Sequence, residues 1–234
     1  MDEYTFEING LPVHAAFSDE TRDRILLPLI ERLRALRRKA GRRICVFLAG
    51  PPAAGKSTLC RVLETLCPEL QTVGLDGFHY PNAYLETHFL DGVPLRKIKG
   101  APETYDTVGL AEKLRHVTEE GQRWPKYDRR THDPIADAVC LTGEIVILEG
   151  NWLLLDAPPW NGLRCDASIF LRMDSPEQIE RVVRRKVAGG FSEAAAREFA
   201  ERNDRVNIAY CLAHSRGADW TIEISEDGTW RANL

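Results

Sequence analysis

The chain has 234 residues, 44% of them hydrophobic and 28% charged, with a formal net charge of −4. This length buries one good core, and so ordinary a composition excludes a disordered or fibrous chain. The mildly acidic balance argues against general nucleic-acid binding, which needs a basic footprint, and no run approaches the roughly 18 apolar residues of a membrane span.

The start, "MDEYTFEING", is acidic where a secretory signal is basic and then apolar. Alternation in "YTFEINGLPVHAAF" about Asn9-Gly10 predicts a hairpin. After it, Ile25, Leu29, Leu33 and Leu36 fall on one stripe of a helix over 18–39 that Ser18 or Asp19 can cap. Its basic end, "RALRRKAGRR", reads as cations favoured at a helix C-terminus, with contact to an anionic ligand or a membrane as the alternative. The apolar runs "ICVFL", "TVGL", "EIVILEG", "ASIFLRMD" and "ADWTIEIS" read as buried strands, the fourth ending at Asp174. Helical periodicity falls between them, over 57–66, 107–119, 176–188 and 193–214. Alternating strands and helices predict an α/β fold with a mostly parallel five-stranded sheet covered on both faces. Two segments, 78–101 and 122–140, are rich in Pro, Gly, Asp, Tyr, His and Arg and lack clean periodicity. The six cysteines, at 45, 60, 67, 140, 165 and 211, form no CxxC pair and no metal-ligand spacing, and read as reduced thiols of a cytoplasmic protein.

The first strand runs into "GPPAAGKST", which has the spacing GxxxxGKS. Glycines at Gly50 and Gly55 let the N–H-bearing positions of the loop through Pro51, Pro52, Ala53 and Ala54 turn inward together around oxygen anions. The helix that follows adds its positive end through Ser57 and Thr58. Lys56 brings a cation to the terminal phosphates, and the Ser57 hydroxyl can bind Mg²⁺. This is a nucleoside-triphosphate site, with Mg²⁺ as the expected metal.

Asp76 lies just past the second strand, where a parallel sheet faces its ligand, and can accept a proton from an attacking hydroxyl. The plainer reading is an Asp-Gly turn with Gly77. Glu149 repeats the arrangement after "VIL" and can hold Mg²⁺ through water, with a simple strand-end acid as its alternative.

The blocks "GPPAAGKSTL", "DGFHYPN", "KGAPETYD", "PKYDRRTHDP" and "LEGNWLLLD" occur in order, and the chain from about residue 44 to 225 resembles the uridine kinase, phosphoribulokinase and bacterial pantothenate kinase superfamily. The second and third blocks look most like pantothenate kinase. The fourth, with the Asn-Trp after Glu149, resembles smaller nucleoside or sugar kinases, including those labelled fructose-transport kinases. The resemblance implies a single three-layer P-loop kinase domain over 1–234: an N-terminal hairpin and helix (1–43), substrate-binding insertions (77–140) and a helical lid (176–200). It implies ATP-dependent phosphorylation of a hydroxyl on a sugar, nucleoside or pantothenate-like compound, with Asp76 as base, Lys56 at the phosphates, and Ser57 and Glu149 at the metal. Substrate contacts implied with it are His79, Tyr80, Arg96, Lys99, Tyr105, Tyr127, Arg129, His132 and Asn151, whose rings can stack on a ligand while the cations pair with an anionic group. Asp106 is also a ready helix cap.

"PEQIERVVRRKVAGGF" resembles the superfamily's mobile lid, in which Arg181 and Arg185, one turn apart, act on the transferring phosphoryl, Arg184 contacts the nucleotide and Gly189-Gly190 serves as hinge. A solvated basic face is the plain alternative. In the superfamily the loop before the last strand, here 214–218 with Ser215, lies beside the adenine. The rival function is a regulatory ATPase or GTPase that switches a protein partner, but the guanine-reading NKxD is missing. A transporter subunit would need a signature helix that is also missing. The partner expected is a small molecule, with no nucleic acid and no membrane, and with homodimerisation open.

Overall fold

A computed structural model of the chain describes residues 1–8, 10–173 and 175–234. The expected turn residue Asn9 and the strand-end Asp174 therefore lie outside the described residues.

The central strand, β3 (Ile44–Ala49), is buried along its whole length. It pairs in parallel with β9 (Ile145–Gly150) on one side and β10 (Ala167–Met173) on the other. Beyond these, β4 (Leu70–Gly74) and β11 (Trp220–Ile224) extend the parallel sheet, giving the five expected strands. A sixth, β12 (Trp230–Asn233), closes the edge antiparallel to β11. The order is β12-β11-β10-β3-β9-β4. Its "WRAN" is short and mostly exposed, so no buried apolar run announces it.

Alternate residues of each strand serve opposite layers. Ile44, Val46 and Leu48 face a core shared with α2 (Leu27–Ala40) and α3 (Lys56–Leu66), whereas Cys45, Phe47 and Ala49 face one built around Trp124, Trp152 and Trp160. The first helix is continuous: α1 (Asp19–Thr21) passes through a π turn (Arg22–Leu26) into α2, and Ser18 Oγ accepts from the Thr21 N–H. Its basic end is used internally. Arg34 and Arg37 pair with Glu69 and Glu144, Arg42 with Asp166, and the Arg43 guanidinium donates to the carbonyls of Gly143, Val117, Glu119 and Leu141. Arg43 thus ties the chain entering β3 to the end of the insertion.

The hairpin of β1 (Asp2–Ile8) and β2 (Leu11–Phe17) lies against the first core through Tyr4, Phe6, Ala15 and Phe17. The insertion carries a short helix, α4 (Asn82–Thr87), a two-residue hairpin of β5 (Phe89–Leu90) and β6 (Val93–Pro94), and then α5 (Thr107–Arg115), capped by Asp106. The segment read as irregular at 122–140 is an antiparallel hairpin, β7 (Arg123–Asp128) with β8 (Asp133–Cys140). Pro125 and Pro134 and a bulge between Trp124 and Lys126 break the alternation that would have revealed it. After β10, α6 (Pro176–Ala188) leads through Gly190, at φ 101°, to α7 (Glu193–Phe199), a π turn (Ala200–Asp204) and α8 (Arg205–His214). Among the described residues, no helix is long and apolar enough to cross a membrane.

Candidate active site

Parallel pairing sends the C-terminal ends of β3, β4, β9, β10 and β11 to one edge of the sheet, and the chain leaving them builds a cleft of about 810 Å³. The loop after β3 reaches it because a bare backbone fits where a side chain would not. A Cβ on Gly50 would stand 2.2 Å from the Leu171 carbonyl oxygen of β10. Further along, Ala53 (φ 59°) and Gly55 (φ 103°) take the left-handed backbone that curls the loop.

Lys56 is 7% exposed, and its Nζ donates to the carbonyls of Gly50 (2.8 Å) and Pro51 (2.9 Å) and to Asn151 Oδ1 (2.8 Å). Burial lowers its pKa, against the pull of Glu149. Beside it, the Ser57 hydroxyl donates to Glu149 Oε1 at 2.9 Å. Burial raises the Glu149 pKa, Asp76 adds to this, and Lys56 opposes it. Among the described residues there is no cluster of three or more metal-ligating side chains. A hydroxyl and one carboxylate at a phosphate loop fit Mg²⁺, which usually takes one or two protein oxygens, substrate phosphates and water.

Asp76 sits in a one-turn 3₁₀ helix (Leu75–Phe78) that follows β4. The Arg129 guanidinium donates to its Oδ2 at 2.6 Å, the Tyr105 hydroxyl to its Oδ1 at 3.3 Å, and His79 Nε2 is 4.0 Å away. Burial favours the neutral acid, but Arg129, with His79, Arg185 and Lys56, outweighs it and holds the Asp76 pKa below its ordinary value. Its side chain remains 37% exposed. The neighbouring glycine has a physical reason to be there: a Cβ on Gly77 would lie 2.5 Å from the Pro125 carbonyl oxygen. Only that close approach brings β7, and with it Tyr127 and Arg129, against the carboxylate. The Asp-Gly pair is thus a turn that also presents an acid.

Of the residues singled out from sequence, the cleft gathers Pro52 to Thr58, Asp76, Arg129, Glu149, Asn151, Arg181, Arg184 and Arg185. Gly50 and Pro51 lie beneath it as acceptors for Lys56. Arg181 and Arg184 both face Glu177 on their own helix. Arg185 makes no ion pair among the described residues, and its charge is felt at Asp76 and at Lys56. Tyr127 lines an adjoining groove with Asp76, Arg129 and Glu149. Behind it His79, 7% exposed, stacks on Tyr105 with ring centroids 3.9 Å apart, and burial depresses its pKa to about 4. Lys99 Nζ stands 5.0 Å from the Tyr127 ring centroid and the Arg129 guanidinium 5.1 Å from it. Three expected contacts are placed otherwise. Tyr80 stacks on Tyr84, Arg96 is exposed outside the cleft, and His132 sits in an exposed turn (φ 54°) where its carbonyl accepts from Lys99.

One expectation is corrected. Ser215 and the loop 214–218 precede β11, so they enter the sheet from the end opposite the cleft, and the Ser215 hydroxyl is bonded to the Cys211 carbonyl at 2.7 Å. The chain that leaves β11 toward the cleft contributes Ile224, Gly228 and Trp230 instead, opposite β2 from Leu11 to Phe17. Gln178 was also missed: it is 1% exposed and donates to the Pro52 carbonyl at 2.6 Å, tying α6 to the phosphate loop. The signal was available, since Gln178 shares a helical stripe with Val182.

Set beside known proteins, the chain is 42% identical to the Escherichia coli protein YggC over 95% of its length and 96% of the relative's. It is 31% identical to the Schizosaccharomyces pombe protein named "putative uridine kinase C227.14", over 74% of this chain and 79% of that one. A crystal structure described as a "putative fructose transport system kinase" from Silicibacter sp. TM1040 superposes with a TM-score of 0.71 at 33% identity, covering 81% of this chain and 98% of that one. No family model matches.

Proposed function

The chain belongs to the uridine kinase-like family of P-loop kinases and is a small-molecule kinase, and we propose that it transfers the γ-phosphoryl group of ATP to a hydroxyl of a sugar, nucleoside or pantothenate-like metabolite. The observation that carries this reading is the single cleft holding Lys56, Ser57, Glu149 and Asp76 together.

In this reading the phosphate loop binds the nucleotide through its backbone N–H groups, and Lys56 exchanges its bonds to Gly50, Pro51 and Asn151 for the terminal phosphates. Ser57 and Glu149 would hold Mg²⁺, which would supply charge neutralisation at the phosphates. Asp76 orients the acceptor hydroxyl in line with the terminal phosphorus and takes its proton. A carboxylate with a depressed pKa suffices, because in the loose transition state of phosphoryl transfer the proton leaves late. Arg181 and Arg185 approach from α6 to neutralise charge on the transferred group, with Arg184 on the nucleotide side. Substrate contacts come from the 77–140 insertions, through Tyr127 and the cations around it, with the stacked His79–Tyr105 pair packed behind.

The test is a screen of sugars, nucleosides and vitamins for acceptor-dependent ADP release. At least one acceptor should raise ADP release well above the rate with water alone. Release that no acceptor stimulates, together with nucleotide-sensitive binding of a protein, would transfer the assignment to a regulatory ATPase.

A further inference from the structure

The insertion places its cations unevenly. Lys99 forms no ion pair among the described residues; its ammonium donates to Asn82 Oδ1 at 2.8 Å and to the His132 carbonyl at 2.7 Å, both neutral, and leaves a third proton undirected. It is half-buried beside the Tyr127 ring, and the Arg129 guanidinium lies at nearly the same distance from that ring. The Arg129 carboxylate partner is Asp76, the very group that has to face the acceptor hydroxyl. Two cations thus approach one aromatic ring, and the one of them that is ion-paired is held by an acid needed elsewhere. Burial and the nearby Arg96 lower the Lys99 pKa to about 8, against the attraction of Asp133 and Asp76, neither of which forms an ion pair with it among the described residues.

We propose that the phosphate acceptor carries an anionic group, a carboxylate or a phosphate, which Lys99 and Arg129 bind beside the Tyr127 ring, and that Arg129 releases Asp76 to do so. This rests on the kinase reading above and narrows its substrate class. Arg129 is then shared between two anions. Without acceptor it neutralises Asp76; with acceptor it turns to the substrate's own anion, and the carboxylate is left free for the hydroxyl. A neutral analogue offers nothing to draw Arg129 away. Selectivity and activation thus come from one ion-pair exchange, and a fork-shaped guanidinium can hold either carboxylate or phosphate in two-point contact.

The experiment uses acceptor pairs that differ only in the anionic group: D-glycerate against glycerol, pantothenate against pantothenyl alcohol, and fructose 6-phosphate against fructose. Binding to the full chain saturated with MgADP is measured by calorimetry, and turnover by ADP release. An anionic member should bind at least about 100-fold more tightly than its neutral partner, and the pair that does so identifies carboxylate or phosphate. Lys99→Met should remove most of that preference, whereas Lys99→Arg should restore it; thermal melts confirm that both variants fold. Neutral members that bind as tightly as anionic ones, no binding by any member, or a preference that survives Lys99→Met in a folded protein would each overturn the proposal. Lys99-dependent anion binding without any turnover would uphold the anion site and count against the kinase reading instead.

Discussion

His79 shows how a residue expected at the substrate is placed by its surroundings. It sits in "DGFHYPN" three residues after the candidate base, which suggested a substrate contact, yet its ring is buried on Tyr105 and its Nδ1 faces the Thr104 carbonyl at 3.1 Å. Burial depresses its pKa from 6.5 to about 4, against the attraction of Asp76. The unfolded chain therefore takes up a proton that the folded chain refuses as pH falls below 6.5, and stability drops through that window until about pH 4. Between pH 6.5 and 5.5 the loss should be about 1 kcal/mol in urea denaturation. His79→Gln should flatten the slope. Glu69, whose pKa Arg34 lowers to about 2, begins to matter only below about pH 4.5, and His116 acts in the opposite sense, so the comparison with the variant isolates His79. An unchanged slope in His79→Gln would show that another group titrates there.

At the scale of elements, the phosphate loop, the strands and the long helices were legible because each is a local pattern: buried apolar runs, a 3.6-residue period and the GxxxxGKS spacing. The β7–β8 hairpin was not, since its side chains serve the acid on the neighbouring turn more than a core of their own; of "RWPKYD" only Trp124 is fully buried. What joins the two is Gly77. Gly77→Ala would push a methyl into the Pro125 carbonyl and displace β7, costing about 1–3 kcal/mol, with a larger fall in kcat than in stability because Arg129 and Tyr127 move with the strand. The contact between α6 and the phosphate loop invites a similar test. Gln178→Ala leaves the Pro52 carbonyl buried without its donor and should cost about 1–3 kcal/mol while raising the KM for ATP. A variant with wild-type stability and KM would mean that α6 is held by its apolar face alone.

The whole molecule gathers the cleft from sequence positions as far apart as β2 and β12, and this long-range assembly is what a pattern read along the chain cannot show. The nucleotide side illustrates the limit. Resemblance directed attention to the loop before β11, whereas strand polarity sends that loop to the far end of the sheet and brings the turn after β11 to the cleft. Because the β1–β2 hairpin, the phosphate loop, α6 and the edge strand all border one cavity, nucleotide binding should stabilise the entire chain. MgATP at about 100 times its Kd should add about 2.7 kcal/mol, seen as a higher melting temperature, and Lys56→Met should lose most of the gain.

The most direct measurement on the whole account is made with an acceptor that the enzyme uses: single-turnover phosphoryl transfer and nucleotide affinity, side by side, in the wild type and Asp76→Asn. Asparagine keeps the shape of the side chain but is far too weak a base to take the proton, so transfer should fall by about 10²–10⁴-fold while the Kd for ATP stays within a few-fold. Transfer at the wild-type rate in Asp76→Asn would contradict the account.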